Sequence, residues 1–502
     1  MGAPNGSIRQ IVHCFSAPME IFATLHNRTT VLRPADVRLK REFSYLVPGS
    51  WFSRAYREGR WDGRRCLMKG GRVPTGLFLA LRRRLEERGW VIRIDDRRQA
   101  PRFHDIDAIA ASLPQARPYQ IELVRAMADA AGTGGLVLAA TGTGKTFLAG
   151  LFLRALRETA LFLVDELTLL EQTRRELAAV TGEEIGKVGE GVFDPRRITT
   201  ATVQTISQSD RPGMQSWLSS VGVVIIDEVH LALNDRTRRA IARIHPLCVY
   251  GMTATLQVDQ DPVLFEAASM CGPVIGTYEY ERALESGHLC AGVLAAADYE
   301  RDIDGKAASW AEQYEKCIVR SRTRNDFIEA IARLAVADGR RICILVSRIR
   351  HLKILQRRLA DLPCETVYGE VDSRQRDAAR LRMDGGATRI ILANRVFEKG
   401  VNIRSLDTII DATMGRNANA VRQRFGRGVR ILQGKHELVY VDIGDVRQHE
   451  SNRFASTTEA RRSSLLRMNV PIIASVRFRQ GQAADAARRF WDSIRSHIRR
   501  SS

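Results

Sequence analysis

The amino-acid sequence predicts an α/β protein in which two parallel β-sheets follow one another along the chain. Three observations support this fold class: a length of 502 residues, two successive series of short apolar runs, and amphipathic stretches between those runs. A chain of this length is expected to form about three or four domains rather than one. Strands that alternate with helical stretches favour parallel sheets over antiparallel ones.

Short aliphatic runs mark the strands of both predicted sheets. In the first series they fall at residues 135–140, 161–164, 198–202, 221–226 and 247–252. In the second series they fall at residues 342–346, 365–367, 389–392, 408–411 and 438–442. The two series separate near residues 276–292, so we predict similar neighbouring domains at residues 101–278 and 279–450.

Positive charge is concentrated at both ends of the chain. The net charge is +20 overall, +10 for residues 1–116 and +8 for residues 451–502, which leaves +2 between them. Clustered positive charge favours a polyanionic partner such as nucleic acid. We predict a small basic α+β domain at residues 1–100 and a basic helical C-terminal extension at residues 451–502.

Several classes of protein are disfavoured by the composition. No apolar run has the length of a membrane span, and the N-terminus lacks the apolar core of a signal peptide. We expect a soluble protein in the cytoplasm of a bacterial or phage-infected cell. The eight cysteines show no metal-ligand spacing, so we expect reduced structural thiols and no zinc site.

A phosphate-binding loop follows the first predicted strand. Residues 139–146 have the sequence AATGTGKT and open a predicted helix at residues 146–157. Small residues let backbone N–H groups surround phosphate oxygens at a helix N-terminus. Lys145 is expected to reach the β- and γ-phosphates of ATP, and Thr146 to hold Mg²⁺. The predicted ATP-binding residues of this loop are Thr141, Gly142, Thr143, Gly144, Lys145 and Thr146.

An acidic pair, Asp227 and Glu228, follows the apolar run at residues 221–226. In an α/β sheet, ligands lie at the carboxyl ends of the strands. We predict that Asp227 binds Mg²⁺ and that Glu228 activates the water that attacks ATP. A short acidic pair is also a common helix start, and its position 82 residues after Lys145 favours the catalytic interpretation.

The order of these motifs resembles that of the superfamily 2 helicases of the DExH type. Residues 117–120 (RPYQ) precede the loop, residues 202–205 (TVQT) follow a strand, and residues 253–255 (TAT) follow another. The resemblance implies two RecA-like domains. It also implies adenine contacts, nucleic-acid contacts, and coupling between the ATP state and strand binding. The adenine contacts fall on Arg117 and Gln120, and the nucleic-acid contacts on Thr202 and Gln204. The coupling role falls on His230, Thr253 and Thr255.

Residues 423–430 (QRFGRGVR) resemble the final motif of the same family. The resemblance implies that Arg427 and Arg430 are arginine fingers, which stabilise charge on the γ-phosphate from across a domain interface. It places Gln423 near the phosphates or the nucleic acid. Gly400 and Asn402 occupy the position of the fifth motif.

Two positions depart from the family pattern. Asn394 replaces a hydroxyl residue that contacts a backbone phosphate in the family. Asp165 and Glu166 stand where the family has Pro-Thr, and an acidic pair does not grip phosphate. We therefore do not assign a DNA contact to this acidic pair.

Residues 57–65 (REGRWDGRR) and 71–77 (GRVPTGL) resemble the DNA-recognition domain of the UvsW-type phage recombination helicases, as do residues 368–372 (YGEVD). The resemblance implies fork regression, branch migration and unwinding of DNA–RNA hybrids, and DNA contacts at four residues. Nearby aromatic side chains could stack on bases or form the core of the small domain, and both interpretations stand. The four predicted contacts are Arg60, Trp61, Arg64 and Arg65, and the nearby aromatics are Trp51, Phe52 and Tyr56.

The predicted function is that of an ATP- and Mg²⁺-dependent DNA helicase or translocase that remodels branched DNA in recombination, replication and repair. The alternatives are an RNA helicase and an ATP-switched nucleic-acid-binding subunit of a larger complex. The expected partners are branched or duplex DNA, DNA–RNA hybrids, and recombination or replication proteins. A monomer is the expected state, and no membrane contact is expected. The basic C-terminal helix could contact DNA or a partner protein.

Overall fold

A computed structural model describes residues 19–165, 167–254, 256, 261–300, 309–369, 373–394, 403–415, 417–432, 434–446 and 453–501. Several predicted positions lie outside these residues: Glu166, Thr255, Gly400, Asn402 and residues 370–372. Three larger sheets, of four, eight and seven strands, follow one another along the chain, and we name the corresponding parts the N-terminal domain (19–100), domain 1 (101–278) and domain 2 (279–501).

The N-terminal domain combines a four-stranded sheet, a long helix and a two-stranded ribbon. Its elements are β1 (Met19–Leu25), β2 (Thr29–Arg33), α1 (Val37–Glu42), β3 (Ser44–Leu46), a 3-10 turn (Ser50–Phe52), α2 (Arg54–Arg57), β4 (Arg64–Cys66), β5 (Arg72–Pro74), α3 (Thr75–Glu87) and β6 (Trp90–Asp96). The sheet order is β5-β2-β1-β6, with β1 and β6 parallel, while β3 and β4 form the ribbon. The apolar residues of α3 face this sheet and complete a small core.

Domain 1 is built on an eight-stranded sheet in the order β10-β9-β11-β8-β12-β13-β7-β14. Its strands are β7 (Gly134–Ala139), β8 (Ala160–Val164), β9 (Gly186–Gly189), β10 (Val192–Asp194), β11 (Ile198–Thr202), β12 (Val223–Asp227), β13 (Cys248–Thr253) and β14 (Val274–Tyr278). Its helices are α4 (Ile106–Ala111), α5 (Pro118–Asp129), α6 (Lys145–Ala155), α7 (Leu167–Thr181), α8 (Val203–Gln208), α9 (Met214–Ser220), α10 (Asp235–Ile244) and α11 (Asp261–Met270). Helix α12 (Tyr280–Glu285) follows in the connection to the domain 2 sheet. All strand pairs of the domain 1 sheet are parallel except β9 with β10.

Domain 2 is built on a seven-stranded parallel sheet in the order β17-β18-β16-β19-β20-β15-β21. Its strands are β15 (Ala291–Tyr299), β16 (Ile342–Leu345), β17 (Cys364–Val367), β18 (Ile390–Ala393), β19 (Thr408–Asp411), β20 (Glu437–Asp445) and β21 (Ile472–Phe478). Its helices are α13 (Trp310–Tyr314), which a π-turn (Glu315–Val319) continues, α14 (Arg322–Ala337), α15 (Ile349–Arg358), α16 (Ser373–Asp384), α17 (Ala418–Gly428), α18 (Arg453–Leu466) and α19 (Ala483–Ser501).

The central strands explain why the sequence shows continuous apolar runs instead of alternation. Every residue of β8 is buried, and so are the first four residues of β12. Helices cover both faces of a parallel sheet, so side chains that point in either direction leave water. The prediction of parallel α/β sheets is therefore confirmed.

The C-terminal residues differ from the predicted separate extension. Strand β21 pairs with β15 and forms an edge of the domain 2 sheet. Phe490, Trp491 and Ile494 of α19 are buried, and Trp491 donates a hydrogen bond to Asp338 at 2.8 Å. Although the exposed face of α19 is rich in arginine, its apolar face completes the core of domain 2. The high charge of this segment concealed its structural role.

No helix among the described residues is both long enough and apolar enough to cross a membrane.

Candidate nucleotide site

The phosphate-binding loop lies between the end of β7 and the start of α6, as the sequence predicts. Gly142 and Gly144 have φ angles of +92° and +80°, a conformation that L side chains rarely adopt. The hydroxyl of Thr143 donates to the carbonyl of Ala140 at 2.7 Å and holds the loop in a tight turn. The loop therefore forms a tight turn at the N-terminus of α6, a place suited to phosphate.

Domain 1 also places its acidic pair beside this loop. The Nζ of Lys145 lies 3.6 Å from a carboxylate oxygen of Glu228. Burial, and then the charge of Glu228, raise the pKa of Asp227 to about 6. Burial would also raise the pKa of Glu228, but Lys145 and His230 outweigh it and lower that pKa. The pair is thus one strongly ionised carboxylate beside one that is readily protonated.

Glu228 is held by backbone strain and by a short hydrogen-bonded chain. Its φ of +44° lies in the left-handed region, which is unfavourable for a non-glycine residue. The hydroxyl of Thr253 donates to Glu228 at 3.2 Å, and Nδ1 of His230 lies 2.8 Å from the same hydroxyl. These contacts link the acidic pair to the end of β13, where coupling is predicted.

Domain 2 supplies the opposite face of the site. A side chain at Gly426 of α17 would overlap Thr141, and a Cβ at Gly142 would lie 3.1 Å from Cγ of Arg430. Helix α17 therefore lies directly against the phosphate-binding loop. Burial, and then the nearby charge of Arg427, lower the pKa of Arg430 to about 9. A buried arginine with a lowered pKa beside a second arginine marks a place that favours an anion.

Arg424 of the same motif has a structural role. It is buried and forms an ion pair with Asp411 at 2.9 Å, and Tyr440 donates a hydrogen bond to the same carboxylate. This contact fixes α17 on the domain 2 sheet. Gln423 and Arg427, four residues apart in the helix, lie on the face turned towards domain 1.

A single cleft of about 570 Å³ lies between the two domains. It brings together most of the residues that the sequence predicts for ATP binding and hydrolysis. Those that line it are Arg117, Thr141, Gly142, Gly144, Lys145, Thr146, Asp227, Glu228, Gln423, Arg427 and Arg430. Lys145 and Arg430, which are 285 positions apart in the chain, thus meet at one site.

Gln120 is the clearest departure from the expected arrangement. Its side chain is buried: its oxygen accepts from the N–H of Arg117 at 3.0 Å, and its nitrogen donates to the carbonyl of Thr143 at 3.2 Å. Tyr119 donates to the same carbonyl. Gln120 therefore stabilises the phosphate-binding loop from the buried interior of domain 1. Arg117, in contrast, lines the cleft. The adenine contact of Gln120 stays a prediction.

Other residues of the cleft were not predicted to belong to the nucleotide site. Asp165, Glu176, His288 and Arg404 all line it. His288 belongs to the connection between the sheets, where its Nδ1 lies 2.6 Å from the hydroxyl of Tyr278. Burial, and then Arg117, lower the pKa of His288. No motif marks Glu176, His288 or Arg404, and Arg404 reaches the cleft only through the packing of domain 2 on domain 1.

The oxygen atoms near the loop fit a hard divalent cation. The carboxylate of Asp227 and the hydroxyl of Thr146 line the same cleft, and oxygen ligands are those that Mg²⁺ prefers. The raised pKa of Asp227 indicates a carboxylate whose charge the protein alone compensates poorly. The residues present therefore fit Mg²⁺, with Asp227 and Thr146 as the groups that would hold it.

The predicted DNA contacts are more scattered. Gln204 is exposed at the start of α8, whereas Thr202 is buried and caps that helix through the N–H of Thr205 at 3.2 Å. Arg60 is exposed and pairs with Glu58. Trp61 is half-buried and donates to the carbonyl of Arg64 at 2.8 Å. These contacts stay predictions.

Two of the arginines assigned to DNA have protein partners. Arg64 donates to the carbonyl of Ser44 at 2.9 Å. Arg65 forms ion pairs with Asp235 at 3.3 Å and Glu266 at 3.4 Å, both in domain 1. Arg65 therefore contributes to the interface between the N-terminal domain and domain 1.

Comparison with protein families identifies both halves of the cleft. Residues 113–258 match the family described as "Type III restriction enzyme, res subunit". Residues 324–432 match "Helicase conserved C-terminal domain". The first match contains the phosphate-binding loop and the acidic pair, and the second contains the whole of α17 and Arg430.

Known relatives include DNA helicases. The chain is 26% identical to the Rad25 DNA 3'-5' helicase of Halobacterium salinarum, over 72% of this chain and 59% of that protein. It is 21% identical to the ATP-dependent DNA helicase uvsW of Enterobacteria phage T4, over 78% of this chain and 83% of that protein. The chain thus spans less than two thirds of the length of the archaeal relative.

A solved structure shares the fold. A fragment of an HsdR subunit of a type I restriction enzyme from Vibrio vulnificus superposes with a TM-score of 0.52 at 19% identity, over 75% of this chain and 72% of that one. With its two matched domains and these relatives, the chain belongs to the superfamily 2 helicases, a family of ATP-dependent enzymes.

Proposed function

We propose that this chain is an ATP-dependent DNA helicase or translocase that remodels branched DNA in the cytoplasm of a bacterial or phage-infected cell. The proposed reactions are fork regression, branch migration and the unwinding of D-loops or R-loops. One observation carries the proposal: Lys145 and Glu228 of domain 1 line the same cleft as the arginines of domain 2.

The chemistry follows from the charges around the cleft. Lys145 binds the terminal phosphates of the substrate ATP, and Arg427 and Arg430 stabilise the charge that develops on the transferred phosphoryl group. Glu228, ionised at neutral pH, orients the attacking water and accepts its proton. Mg²⁺, held by Asp227 and Thr146, would supply further charge compensation to the phosphates.

Movement follows from the position of ATP between two domains. The phosphates favour closure because they attract arginines of domain 2 towards the loop of domain 1. Hydrolysis removes this attraction and lets the cleft open. The hydrogen bonds from Glu228 through Thr253 to His230 provide a route from the phosphates to the end of β13. A nucleic-acid strand held on both domains would advance with each cycle.

DNA is the favoured substrate for two reasons. The relatives with long alignments are named as DNA helicases. In addition, residues 1–116 carry a net charge of +10, which favours a polyanion. The preference for branched DNA rests on the resemblance of residues 57–77 to the UvsW-type domain.

The test is ATP hydrolysis and strand remodelling on matched substrates: single-stranded, duplex, forked and four-way DNA, R-loops, and RNA of the same sequence. We expect hydrolysis to be stimulated by DNA, with remodelling strongest on branched molecules. Lys145→Ala should abolish both, and Lys353→Ala, an exposed lysine of α15, should change neither. Equal remodelling of RNA and DNA, or stimulation without any remodelling, would contradict the proposal.

A further inference from the structure

Exposed aromatic side chains are concentrated in one short segment of the N-terminal domain. Trp51 is 51% exposed, Phe52 77% and Tyr56 39%. Within the described part of the chain, only Phe22 and Trp310 are other aromatic rings exposed to this degree. Burying such rings is strongly favourable, so a cluster left in water marks a surface for interaction.

The charge around these rings identifies the kind of ligand. Residues 51–65 contain five arginines and two acidic residues. Arg54 pairs with Glu58 at 2.6 Å, and Arg57 is exposed. Aromatic rings among arginines suit a nucleic-acid strand, because the rings stack on bases while the guanidinium groups bind phosphates. A protein partner would need acidic groups on its surface to compensate the positive charge of residues 51–65.

The segment is folded, so the exposure of the rings is built into the structure. The N–H of Phe52 donates to the carbonyl of Gly49 at 3.0 Å, and the N–H of Val47 donates to the carbonyl of Gly63 at 2.8 Å. Gly63 has a φ of +75°, and a side chain there would lie 2.8 Å from Tyr56. The two strands of the ribbon thus hold Trp51 and Phe52 at its tip.

The base of this ribbon is fixed to domain 1. Tyr45 of β3 donates a hydrogen bond to the carboxylate of Glu266, and Arg65 of β4 lies 3.4 Å from the same carboxylate. Glu266 belongs to α11, which packs against the N-terminal domain through Phe265 and Ala268. A side chain at Gly76 of α3 would overlap the backbone of this helix, so the contact is close. The tip must therefore move with domain 1.

We infer that Trp51 and Phe52 form an aromatic wedge that stacks on unpaired bases at a branch point of DNA. The inference rests on the proposed function and gives it a contact surface. Because the wedge is attached to domain 1, opening and closing of the cleft would move it relative to a strand held on domain 2. Trp61 is not part of the wedge, because its ring is half-buried and its N–H is bonded to Arg64.

The test compares the full-length protein with the double variant Trp51→Ala/Phe52→Ala. The probe is a forked DNA that carries 2-aminopurine at the branch, next to an unbranched duplex of the same length. Phe22→Ala is the matched control, since Phe22 is 54% exposed in β1 of the same domain. Loss of exposed rings should leave the melting temperature unchanged.

We expect the wild-type protein and Phe22→Ala to quench 2-aminopurine at the branch. The double variant should lose this quenching and bind the fork about tenfold more weakly for each ring removed. Its affinity for the unbranched duplex and its ATP hydrolysis with saturating duplex should be unchanged, because a duplex offers no unpaired bases to the rings. Wild-type fork affinity and quenching in the double variant would overturn the inference.

Two further outcomes separate the possible failures. If DNA stimulates hydrolysis normally in both proteins but fork affinity is equal, the wedge is wrong and the proposed function stands. If no DNA stimulates the wild-type protein, the proposed function falls and the wedge with it. If sedimentation shows that the substitutions only break a dimer, the rings form an interface between copies and the inference is overturned.

Discussion

The charged side chains on the two faces of the interdomain cleft are compensated to different degrees. On domain 1, Lys145 and Glu228 lie 3.6 Å apart and largely neutralise one another. On domain 2, Arg427 and Arg430 lie side by side, and burial with this repulsion lowers the pKa of Arg430 to about 9. Domain 1 therefore holds a nearly complete nucleotide-binding site, whereas on domain 2 the burial of Arg430 beside Arg427 favours an anion between the domains.

This difference indicates why hydrolysis and closure depend on each other. A phosphate between the domains would stabilise this arginine face further, so the nucleotide favours closure. Domain 1 alone can bind ATP, but only the closed cleft stabilises the transition state. Substitutions on the two faces should therefore have different kinetic effects.

The largest effect on the domain 2 face is expected from Arg430→Ala. Removing an arginine finger should lower kcat by about 10³-fold or more, with a much smaller change in ATP affinity. Single-turnover hydrolysis and equilibrium binding of a fluorescent ATP analogue separate the two quantities. Arg357→Ala, an exposed arginine of α15, is the control. An unchanged kcat would show that this arginine does not reach the phosphates.

On the domain 1 face, Glu228→Gln should lower kcat by about 10²- to 10⁴-fold, because the general base is lost. ATP binding should persist, since Lys145 and the loop are intact. Removing a negative charge beside the phosphates should even tighten nucleotide binding. Normal hydrolysis, or loss of binding together with hydrolysis, would contradict the role of Glu228.

A smaller and more specific effect is expected at the link to β13. Thr253→Val removes the hydroxyl that lies 2.8 Å from His230 and donates to Glu228 at 3.2 Å. We expect strand remodelling to fall by about tenfold, roughly the value of one lost hydrogen bond, with hydrolysis reduced less. The ratio of strands displaced to ATP hydrolysed measures this coupling. A constant ratio would rule out the link.

The smallest expected effect is a change with pH on the domain 1 face. Burial, and then Glu228, raise the pKa of Asp227 to about 6, so this carboxyl is charged above that pH and protonated below it. Because protons then compete with Mg²⁺, the half-saturating Mg²⁺ concentration for hydrolysis should rise about fourfold between pH 7.5 and 5.5. Titrations of Mg²⁺ at each pH measure this half-saturating concentration. The same concentration at both pH values would contradict the shift.

The sequence predicted the elements of the two sheets more accurately than it predicted their surroundings. The P-loop and the acidic pair are local patterns, so their positions at the ends of β7 and β12 could be predicted from spacing. Trp491 was not assigned to the core, because α19 also carries many arginines and the partner of Trp491, Asp338, is 153 residues away.

The functional surface of the N-terminal domain was likewise hard to assign. Motif resemblance singled out Trp61 and Arg65, yet the structure gives the first a backbone partner and the second two carboxylates of domain 1. Trp51 and Phe52, which the sequence left between core and surface, are the exposed rings. Exposure depends on tertiary packing, so no pattern in a single sequence determines it.

The central claim is that one chain builds both faces of the hydrolytic site. The most direct measurement is DNA-stimulated ATP hydrolysis by Lys145→Ala and Arg430→Ala, each alone and then mixed in equal amounts. We predict that each variant loses at least about 10³-fold of its activity and that the mixture stays inactive, because every cleft lacks one face. Substantial activity in either variant, or recovery in the mixture, would contradict a site completed within one molecule.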